Sequence, residues 1–376
     1  MKKIVVFRYD KVGDLLVSTP AFRAIKEAYP ECHLTLVASP YNRVAAEGLE
    51  TIDEIWELEK KQSIAENWAF LKKLRAHKPD LVLNFNPCTV AYFLNFLSGA
   101  KQRGALLMSY RWLPKILAPV LFTKSIILKR SFYKKRDLSK HHTSYLLQLC
   151  ERFGIKASPD LQLETANFSE AAKDLAPALN KKGKYLAFHL LDTWQSEDMT
   201  ANCFCKILAN VRKTYPDYQI LLTAGPLEKK LYETCQKLYP TLTKQPSAIQ
   251  TYQAASYQHL CAALSGAAAV ISPNTGIVHI AAALQRPCVV LEPKGRLQMG
   301  CSIEYAPYKV PFETFEMEDA DITSQKLIDA LSVLLRALPP TNEQADTSAY
   351  MSSLALDGDP ADRTSRTHST AAEKAA

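Results

Sequence analysis

The sequence predicts an α/β protein built from two consecutive series of strand-helix units, and three observations support this prediction. Short β-branched and aromatic runs alternate with helical patterns, beginning with a strand at residues 4–7 and a helix from Asp14. A polar, Ala-rich connection containing Pro159 and Pro177 interrupts the alternation, which then resumes. The 376 residues, 47% hydrophobic and 22% charged, are enough for about two globular domains.

The first half of the chain carries four predicted strands and three predicted helices. The strands are predicted at residues 4–7, 33–38, 52–58 and 81–85, and the helices at residues 14–28, 67–76 and 142–153. Pro30 ends the first helix, and Gly154 is a suitable C-cap for the third. Strands that alternate with helices indicate a parallel sheet, in which ligand loops follow the carboxyl ends of the strands.

The second half repeats the pattern. Strands are predicted at residues 185–189, 219–223, 268–272 and 288–291, and helices at residues 203–215, 228–238, 257–264, 276–284 and 324–338. The last helix ends before Pro339-Pro340. Residues 341–376 are rich in Ser, Thr, Ala and Asp with few apolar residues, so we expect this tail to be disordered.

The segment at residues 105–128 is apolar but interrupted by charged and proline residues. No stretch reaches the roughly 18 to 20 apolar residues that a membrane-spanning helix requires. Two interpretations stay open, namely an amphipathic surface element that contacts anionic lipid and a packed helical hairpin.

Basic residues are concentrated in one segment. Residues 101–142, called the basic segment below, carry eleven Lys or Arg and one acid, Asp137, so their charge is +10 in a protein of net charge +8. Such a block indicates a polyanionic partner, either nucleic acid, an anionic membrane or a phosphorylated substrate, unless it is only a solvated face. The segment contains no recognisable nucleic-acid-reading module, so we expect no nucleic-acid partner.

The N-terminus and the cysteines indicate the compartment. The first apolar run breaks at Arg8 and Asp10, too early for the hydrophobic region of a signal peptide. The nine cysteines include no C-x-x-C pair. We therefore expect a cytoplasmic protein with reduced thiols and neither disulfides nor a structural metal.

A first candidate site is Lys11-Val12-Gly13-Asp14, where the first strand leads into the first helix. Gly13 permits a tight turn, and Asp14 would place a carboxylate at the ligand edge of the sheet. The competing interpretation is that Asp14 is only a helix N-cap. The chain has neither G-x-G-x-x-G nor G-x-x-x-x-G-K-[ST], so a classical dinucleotide motif or P-loop is excluded.

A second candidate site is the strand-turn-helix stretch at residues 272–279. Backbone N–H groups at the start of this helix would bind an anion, Gly276 would permit its close approach, and His279 would lie within reach. The competing interpretations make Asn274 or Thr275 a helix cap and His279 a core residue at a domain interface.

Two weaker signals lie in other loops of the second half. Gly225-Pro226 follows a strand and could line a nucleotide base or ribose. The loop at residues 189–194 could cover a ligand or simply close the domain.

Together these residues resemble glycosyltransferase family 9, the ADP-heptose:lipopolysaccharide heptosyltransferases and their relatives. The resemblance covers roughly residues 1–335 and is carried by the opening IVVFRYDKVGDLLVSTPAFRAIKEAYP, by GPLE from Gly225, and by LCAALSGAAAVISPNTGIVHIAAALQRPCVVLEP. The first and last blocks are specific in combination.

The resemblance implies a GT-B architecture, in which two Rossmann-like domains face a central cleft. Residues 1–165 would bind the acceptor, residues 166–338 the nucleotide-sugar, and residues 339–376 would form the tail. The implied activity is an inverting, metal-independent transfer without a cofactor, with heptose from ADP-heptose as the sugar. The acceptor would be a lipopolysaccharide core or related anionic glycolipid at the cytoplasmic face of the inner membrane, contacted peripherally.

The resemblance also assigns residues. Asp14 corresponds to the family's general base. Implied donor-binding residues are Gly225, Pro226, Asn274, Thr275, Gly276, His279 and Lys294, and implied acceptor-binding residues are Gly13, Arg111, Lys134, Lys135 and Arg136.

The chain departs from the family pattern at two places. Asn274 stands where the family usually has Asp, and the loop at residues 190–199 lacks the Lys or Arg that many members carry, for which Lys294 and Arg296 are the available replacements. An alternative function is therefore a catalytically silent relative that binds an anionic glycolipid or a partner enzyme through the basic segment.

Overall fold

The computed structural model describes residues 1–109, 111–128, 140–175, 184–191, 200–225, 230–243, 249–295 and 301–337. Two parallel six-stranded sheets, each flanked by helices, follow one another along the chain. The α/β prediction and the GT-B architecture with two Rossmann-like halves are confirmed.

The first sheet and its helices occupy the N-terminal half. In chain order they are β1 (Lys3–Phe7), α1 (Val12–Leu16), α2 (Thr19–Ala28), β2 (His33–Ala38), β3 (Glu54–Glu57), α3 (Ile64–His77), β4 (Leu81–Asn84), α4 (Thr89–Leu97), β5 (Gln102–Met108), α5 (Trp112–Leu121), β6 (Lys124–Leu128), α6 (His142–Glu151) and α7 (Ser169–Leu175).

The second sheet and its helices occupy the C-terminal half. They are β7 (Lys184–His189), α8 (Ala201–Thr214), β8 (Tyr218–Ala224), α9 (Lys230–Thr243), β9 (Ile249–Gln253), α10 (Tyr257–Ser265), β10 (Ala269–Pro273), α11 (Gly276–Ala283), β11 (Cys288–Glu292), α12 (Cys301–Glu304), β12 (Phe312–Glu316) and α13 (Ala320–Arg336).

Both sheets have the same winding. The strand orders are β3-β2-β1-β4-β5-β6 and β12-β11-β10-β7-β8-β9. In each, the chain runs outward in one direction and then returns to continue on the other side of its first strand. The reversal opens a crevice between β1 and β4, and another between β7 and β10, where doubly wound proteins bind ligands. The two sequence motifs begin there, because α1 follows β1 and α11 follows β10.

The central strands are buried on both faces, as expected for parallel sheets covered by helices. In β1, Ile4 and Val6 join one apolar cluster, while Val5 and Phe7 join a second cluster on the opposite face. All four side chains are fully buried. This continuous apolar run ends at Arg8, which is the first residue of the site described below.

The helix predicted from Asp14 is two helices. α1 ends at Leu16 and α2 starts at Thr19, with Pro20 in its first turn. In a continuous helix the Pro20 ring would clash with the carbonyl group of Leu16, whereas the first turn of a helix accepts proline.

The helical hairpin considered for residues 105–128 is wrong. This segment forms most of β5, then α5, then β6, and the two strands pair in parallel. Strand β5 is hard to predict because a short apolar run buried on both faces has no periodicity that separates it from a buried helix, and β6 is a five-residue edge strand. Strands β9 and β12 and helices α4, α7 and α12 were also not predicted.

Two expectations are not tested by the fold. The domain boundary at residues 165/166 stays a prediction, and the tail at residues 339–376 lies outside the described residues. Among the helices of the described segments, none combines the length and the apolar character needed to span a membrane.

Candidate active site

The two sequence motifs lie against each other. A Cβ atom added to Gly13 would lie 2.8 Å from Cδ2 of His279 and 3.1 Å from Cα of Gly276. The first turn of α1 therefore packs directly on the first turn of α11, and only glycine fits at position 13 without displacing its neighbours. The structure thus brings together Gly13, Asp14, Gly276 and His279 from two halves of the chain.

Arg8 organises the N-terminal side of this contact. Its side chain is 1% exposed, and its Nε and Nη1 atoms donate hydrogen bonds of 2.7 Å to the carbonyl oxygens of Asp14 and Phe85. The same guanidinium pairs with Oδ2 of Asp10 at 3.3 Å and with Oδ1 of Asp14 at 3.4 Å. A buried guanidinium must be compensated in this way because it cannot lose its proton.

Sequence reasoning missed Arg8 and Asp10 as site residues. The signal was present, since an arginine directly after a strand buried on both faces needs anionic or carbonyl partners nearby. The spacing alone does not say that the partners are Asp10, Asp14 and the end of β4.

Asp14 is not a helix cap, so that interpretation is wrong. The N-cap of α1 is Lys11, whose side chain makes no capping hydrogen bond, and Asp14 lies two residues inside the helix. Its side chain is 20% exposed. Oδ1 faces Arg8, and Oδ2 makes no hydrogen bond within the described part of the chain. One carboxylate oxygen is therefore fixed and the other is available.

Asp10 shares the guanidinium with Asp14. The pKa of Asp10 is raised to about 6, mainly by burial; the positive charge of Arg8 opposes this rise, and the negative charge of Asp14 adds to it. The carboxyl group of Asp10 therefore takes up a proton at a higher pH than an exposed aspartate does.

The turn before α11 uses its polar side chains structurally. Thr275 is the N-cap, and its hydroxyl accepts a hydrogen bond of 3.4 Å from the backbone N–H of Ile277. The cap interpretation is therefore confirmed for Thr275. The Asn274 amide instead donates a hydrogen bond of 2.8 Å to Oε1 of Glu292, a buried residue at the end of β11.

His279 is buried where the two halves meet, as the core interpretation supposed. Its ring lies against Gly13 and makes an edge contact with Tyr305, with 6.2 Å between ring centroids. Its Nδ1 is buried without a hydrogen-bond partner among the described residues. Burial lowers the pKa of His279 to about 4, which the charge of Asp14 opposes. Near neutral pH the imidazole can donate a hydrogen bond but adds no positive charge.

Two further histidines begin α6 beside this contact. Nδ1 of His141 accepts a hydrogen bond of 3.2 Å from the N–H of Thr143, so Nε2 carries the proton and donates to the Ala306 carbonyl at 3.0 Å. Nδ1 of His142 lies 3.4 Å from Oε1 of Glu304, and its ring stacks on Tyr305. Burial lowers the pKa of His141 to about 3 and also lowers that of His142.

Sequence reasoning missed these two histidines because it treated the end of the basic segment only as charge. Their burial against residues 304–306 depends on how the second half of the chain packs. Nothing in the spacing of residues 141 and 142 indicates that packing.

The other predicted residues are placed as follows. Gly225 follows β8, Lys294 is exposed after β11, and Arg111 is half-buried before α5. No hydrogen bond or ion pair joins Arg111 or Lys294 to Asp14 or His279 among the described residues. The remaining predictions, at Pro226, Lys134, Lys135, Arg136, Arg296 and most of the loop at residues 190–199, lie outside the described residues.

Within the described ranges, no group of three or more His, Cys, Asp or Glu side chains is arranged to bind a metal ion.

We expect Gly13→Ala to reduce the free energy of unfolding by about 1–3 kcal/mol, because the new methyl group separates the first turns of α1 and α11. Urea unfolding measures this change. The matched control is Gly276→Ala, whose Cβ would lie 3.5 Å from the Gly13 nitrogen, an ordinary contact. Equal losses in both variants would show that the close packing at Gly13 is not what matters.

Stability should fall as the pH is lowered below the ordinary histidine pKa of about 6.5. The unfolded chain binds a proton at His279 there, whereas the folded protein resists it until about pH 4. His279→Gln should make this dependence shallower by about 1 kcal/mol per pH unit. Urea unfolding at several pH values measures it. An unchanged slope in His279→Gln would contradict a buried neutral imidazole.

A curated Haemophilus influenzae protein with a provisional glycosyltransferase name is 22% identical over 304 residues, covering 79% of this chain and 84% of that protein.

Two solved Escherichia coli structures share the fold. The ADP-heptose lipopolysaccharide heptosyltransferase II matches with a TM-score of 0.69 at 15% identity, covering 89% of this chain and 99% of that one. The heptosyltransferase WaaC with ADP-2-deoxy-2-fluoro heptose matches with a TM-score of 0.63 at 16% identity, covering 88% and 99%. The family model for glycosyltransferase family 9 (heptosyltransferase) matches residues 67–291. Because this match covers more than half of the protein, the chain belongs to glycosyltransferase family 9.

Proposed function

We propose that this protein is an inverting, metal-independent glycosyltransferase that moves heptose from ADP-heptose to a lipopolysaccharide core or a related glycolipid at the cytoplasmic face of the inner membrane. One observation carries the proposal. The Asp14 carboxylate has one oxygen fixed by Arg8 and one oxygen available. It lies beside the first turn of α11, a helix that belongs to the second sheet. A base from one half thus faces an anion-binding helix end from the other.

Asp14 acts as the general base. Its Oδ2 takes the proton of an acceptor hydroxyl while the oxygen attacks the anomeric carbon from the side opposite the diphosphate. A bond forms between the acceptor oxygen and the anomeric carbon, the bond to the diphosphate breaks, and the configuration inverts. Arg8 holds Oδ1 throughout, so the reactive oxygen keeps its position.

The diphosphate leaves toward the first turn of α11. Its backbone N–H groups are the positive end of the helix dipole, which attracts an anion. The neutral His279 imidazole contributes one hydrogen bond through its unpartnered nitrogen. This arrangement stabilises the charge that develops on the leaving group.

ADP-heptose as donor is proposed from the family and from relatives named for that nucleotide-sugar or solved with its analogue. The substitution of Asn274 for the family's usual Asp does not remove the carboxylate from this turn. Glu292, at the end of β11, places one within 2.8 Å of the Asn274 amide.

An anionic acceptor is proposed from the charge of the basic segment, which carries +10 while the rest of the chain carries −2. Carboxylates and phosphates of a lipopolysaccharide inner core fit such a segment.

Asp14→Asn should reduce turnover by about 100-fold or more, because the amide keeps an oxygen for Arg8 but cannot accept the proton. The assay follows ADP release from ADP-heptose with a truncated lipopolysaccharide core as acceptor, and calorimetry should find ADP affinity within about twofold of wild type. Asp321→Asn, an exposed carboxylate in the first turn of α13, serves as the control and should retain activity. Near-normal turnover in folded Asp14→Asn would remove Asp14 from the mechanism.

Calorimetric titration with ADP, UDP, GDP and CMP should show selective binding of ADP. His279→Ala should weaken that binding about tenfold or more, since it removes a hydrogen bond to a charged group. His259→Ala, on α10 and hydrogen-bonded to Ser256, should change it less than about twofold. If the folded wild-type protein bound none of these nucleotides, the silent glycolipid-binding alternative would replace the transferase.

A further inference from the structure

We propose that the outer face of helices α4 and α5 docks this protein on an anionic lipid surface. The proposal extends the proposed function, since a glycolipid acceptor lies in a membrane, but the observations behind it are independent of Asp14 and His279. The face is defined by exposed apolar residues on the two neighbouring helices: Val90, Phe93 and Leu97 of α4, and Trp112, Leu113, Ile116 and Val120 of α5.

The spacing of these residues puts them on one side of each helix. Positions 90, 93 and 97 follow the i, i+3, i+7 pattern, and positions 112, 116 and 120 follow the i, i+4, i+8 pattern. Trp112, Ile116 and Val120 are each about two-thirds exposed, at 68%, 65% and 64%. A helix at the surface of a globular protein normally faces such an apolar stripe toward the core. In α5 the stripe faces outward instead, which is typical of a surface that contacts a partner or a membrane.

The opposite sides of both helices already pack against the rest of the first half. The exposed stripes are therefore not core-facing sides that have been turned outward. The Tyr92 and Phe122 rings meet at 5.4 Å, and Ala118 and Leu121 pack in the same cluster. The Asn95 amide donates hydrogen bonds to the carbonyls of Val82 and Gly104. These contacts determine which side of each helix faces the sheet and leave the apolar stripes exposed.

The charge of the residues around this face indicates which kind of partner it fits. No Asp or Glu occurs between Asp80 and Asp137, whereas ten Lys or Arg fall in that interval. Lys115 is exposed on α5 itself, Arg111 lies just before it, and Lys101 is exposed after α4. An apolar stripe in a stretch of chain that carries cations and no acids matches an anionic lipid surface, where the side chains enter the headgroup region and the cations pair with lipid charge.

Charge also disfavours a second copy of the chain as the occupant. A two-fold contact through this face would bring the same cations of two protomers together without any acid between them. Eight of the fifteen large apolar side chains that are exposed in the described segments lie at residues 90–127. The apolar surface is thus concentrated where acids are absent.

The face is also suitably placed for the reaction. Helix α4 follows β4 and α5 follows β5, so both helices begin at the carboxyl edge of the first sheet, the edge that carries Asp14. Trp112, at the start of α5, suits the boundary between headgroups and hydrocarbon. Docking here would bring the base toward acceptor headgroups while the lipid chains stay in the membrane.

Vesicle flotation of the full chain tests the proposal without using turnover. The probes are vesicles of phosphatidylcholine alone and of phosphatidylcholine with phosphatidylglycerol, neither containing a sugar. We expect binding to the anionic vesicles, weak binding to the neutral ones, and loss of about tenfold or more in the double variant I116E/V120E. The control V333E changes a similarly exposed apolar residue on α13 and should bind like wild type.

Two further measurements keep the test decisive. Circular dichroism checks that I116E/V120E is folded, and Trp112→Gln provides a milder second variant, also expected to bind weakly. Undiminished binding by both variants, equal binding to neutral and anionic vesicles, or no binding by wild type would overturn the proposal. So would sedimentation showing that wild type is a dimer in lipid-free solution and that I116E/V120E is a monomer.

The result is separable from the transferase assay. A protein that floats with vesicles but transfers no sugar would retain this docking face and lose the proposed function. A protein that transfers sugar but does not float would do the reverse.

Discussion

The structure of the site depends on one buried guanidinium. Arg8 ends an apolar strand inside the protein, and its charge cannot be relieved by deprotonation. Carbonyl groups of Asp14 and Phe85 and the carboxylates of Asp10 and Asp14 therefore surround it. Because Phe85 follows β4, the ion network spans the crevice between β1 and β4, where a doubly wound sheet exposes its ligand edge. The proposed base is thus positioned by the same interactions that neutralise the buried cation.

The contact between the two halves is built largely from histidine and tyrosine rings. His279 meets Gly13 without room for a side chain, and the imidazole rings of His141 and His142 lie against Tyr308 and Tyr305. Burial keeps these histidines neutral, so they provide hydrogen bonds and ring contacts without adding repulsion beside Arg8. Neutral donors beside an ion network whose charges are already paired would suit the diphosphate of the proposed donor.

The outer surface of the first half differs from the cleft because it exposes apolar side chains. Its helices α4 and α5 carry apolar residues on both sides, one side packed against the rest of the first half and the other exposed, in a stretch without acids. The arrangement connects the sheet edge that carries Asp14 with a surface suited to lipid. In the proposed reaction, the base and the helix end that binds the donor would act on the sugar part of the acceptor. The lipid-facing helices would contact the membrane that holds its lipid part.

The sequence by itself determined the alternation of strands and helices, the two ligand-edge turns at Gly13-Asp14 and Thr275-Gly276, and the family resemblance. These features are local, since they depend on periodicity, on glycine in tight turns and on residues adjacent in the chain. Only the tertiary structure decided that Asp14 is not a cap, that Arg8 holds it, that Asn274 pairs with Glu292, and that His141 and His142 join the contact at His279. The Arg8–Asp14 pair is local in sequence but depends on the burial of Arg8 against Phe85, and His141 and His142 contact residues 162 or more positions away. Burial and pairing of this kind follow from how the chain packs, and short-range patterns carry no information about that packing.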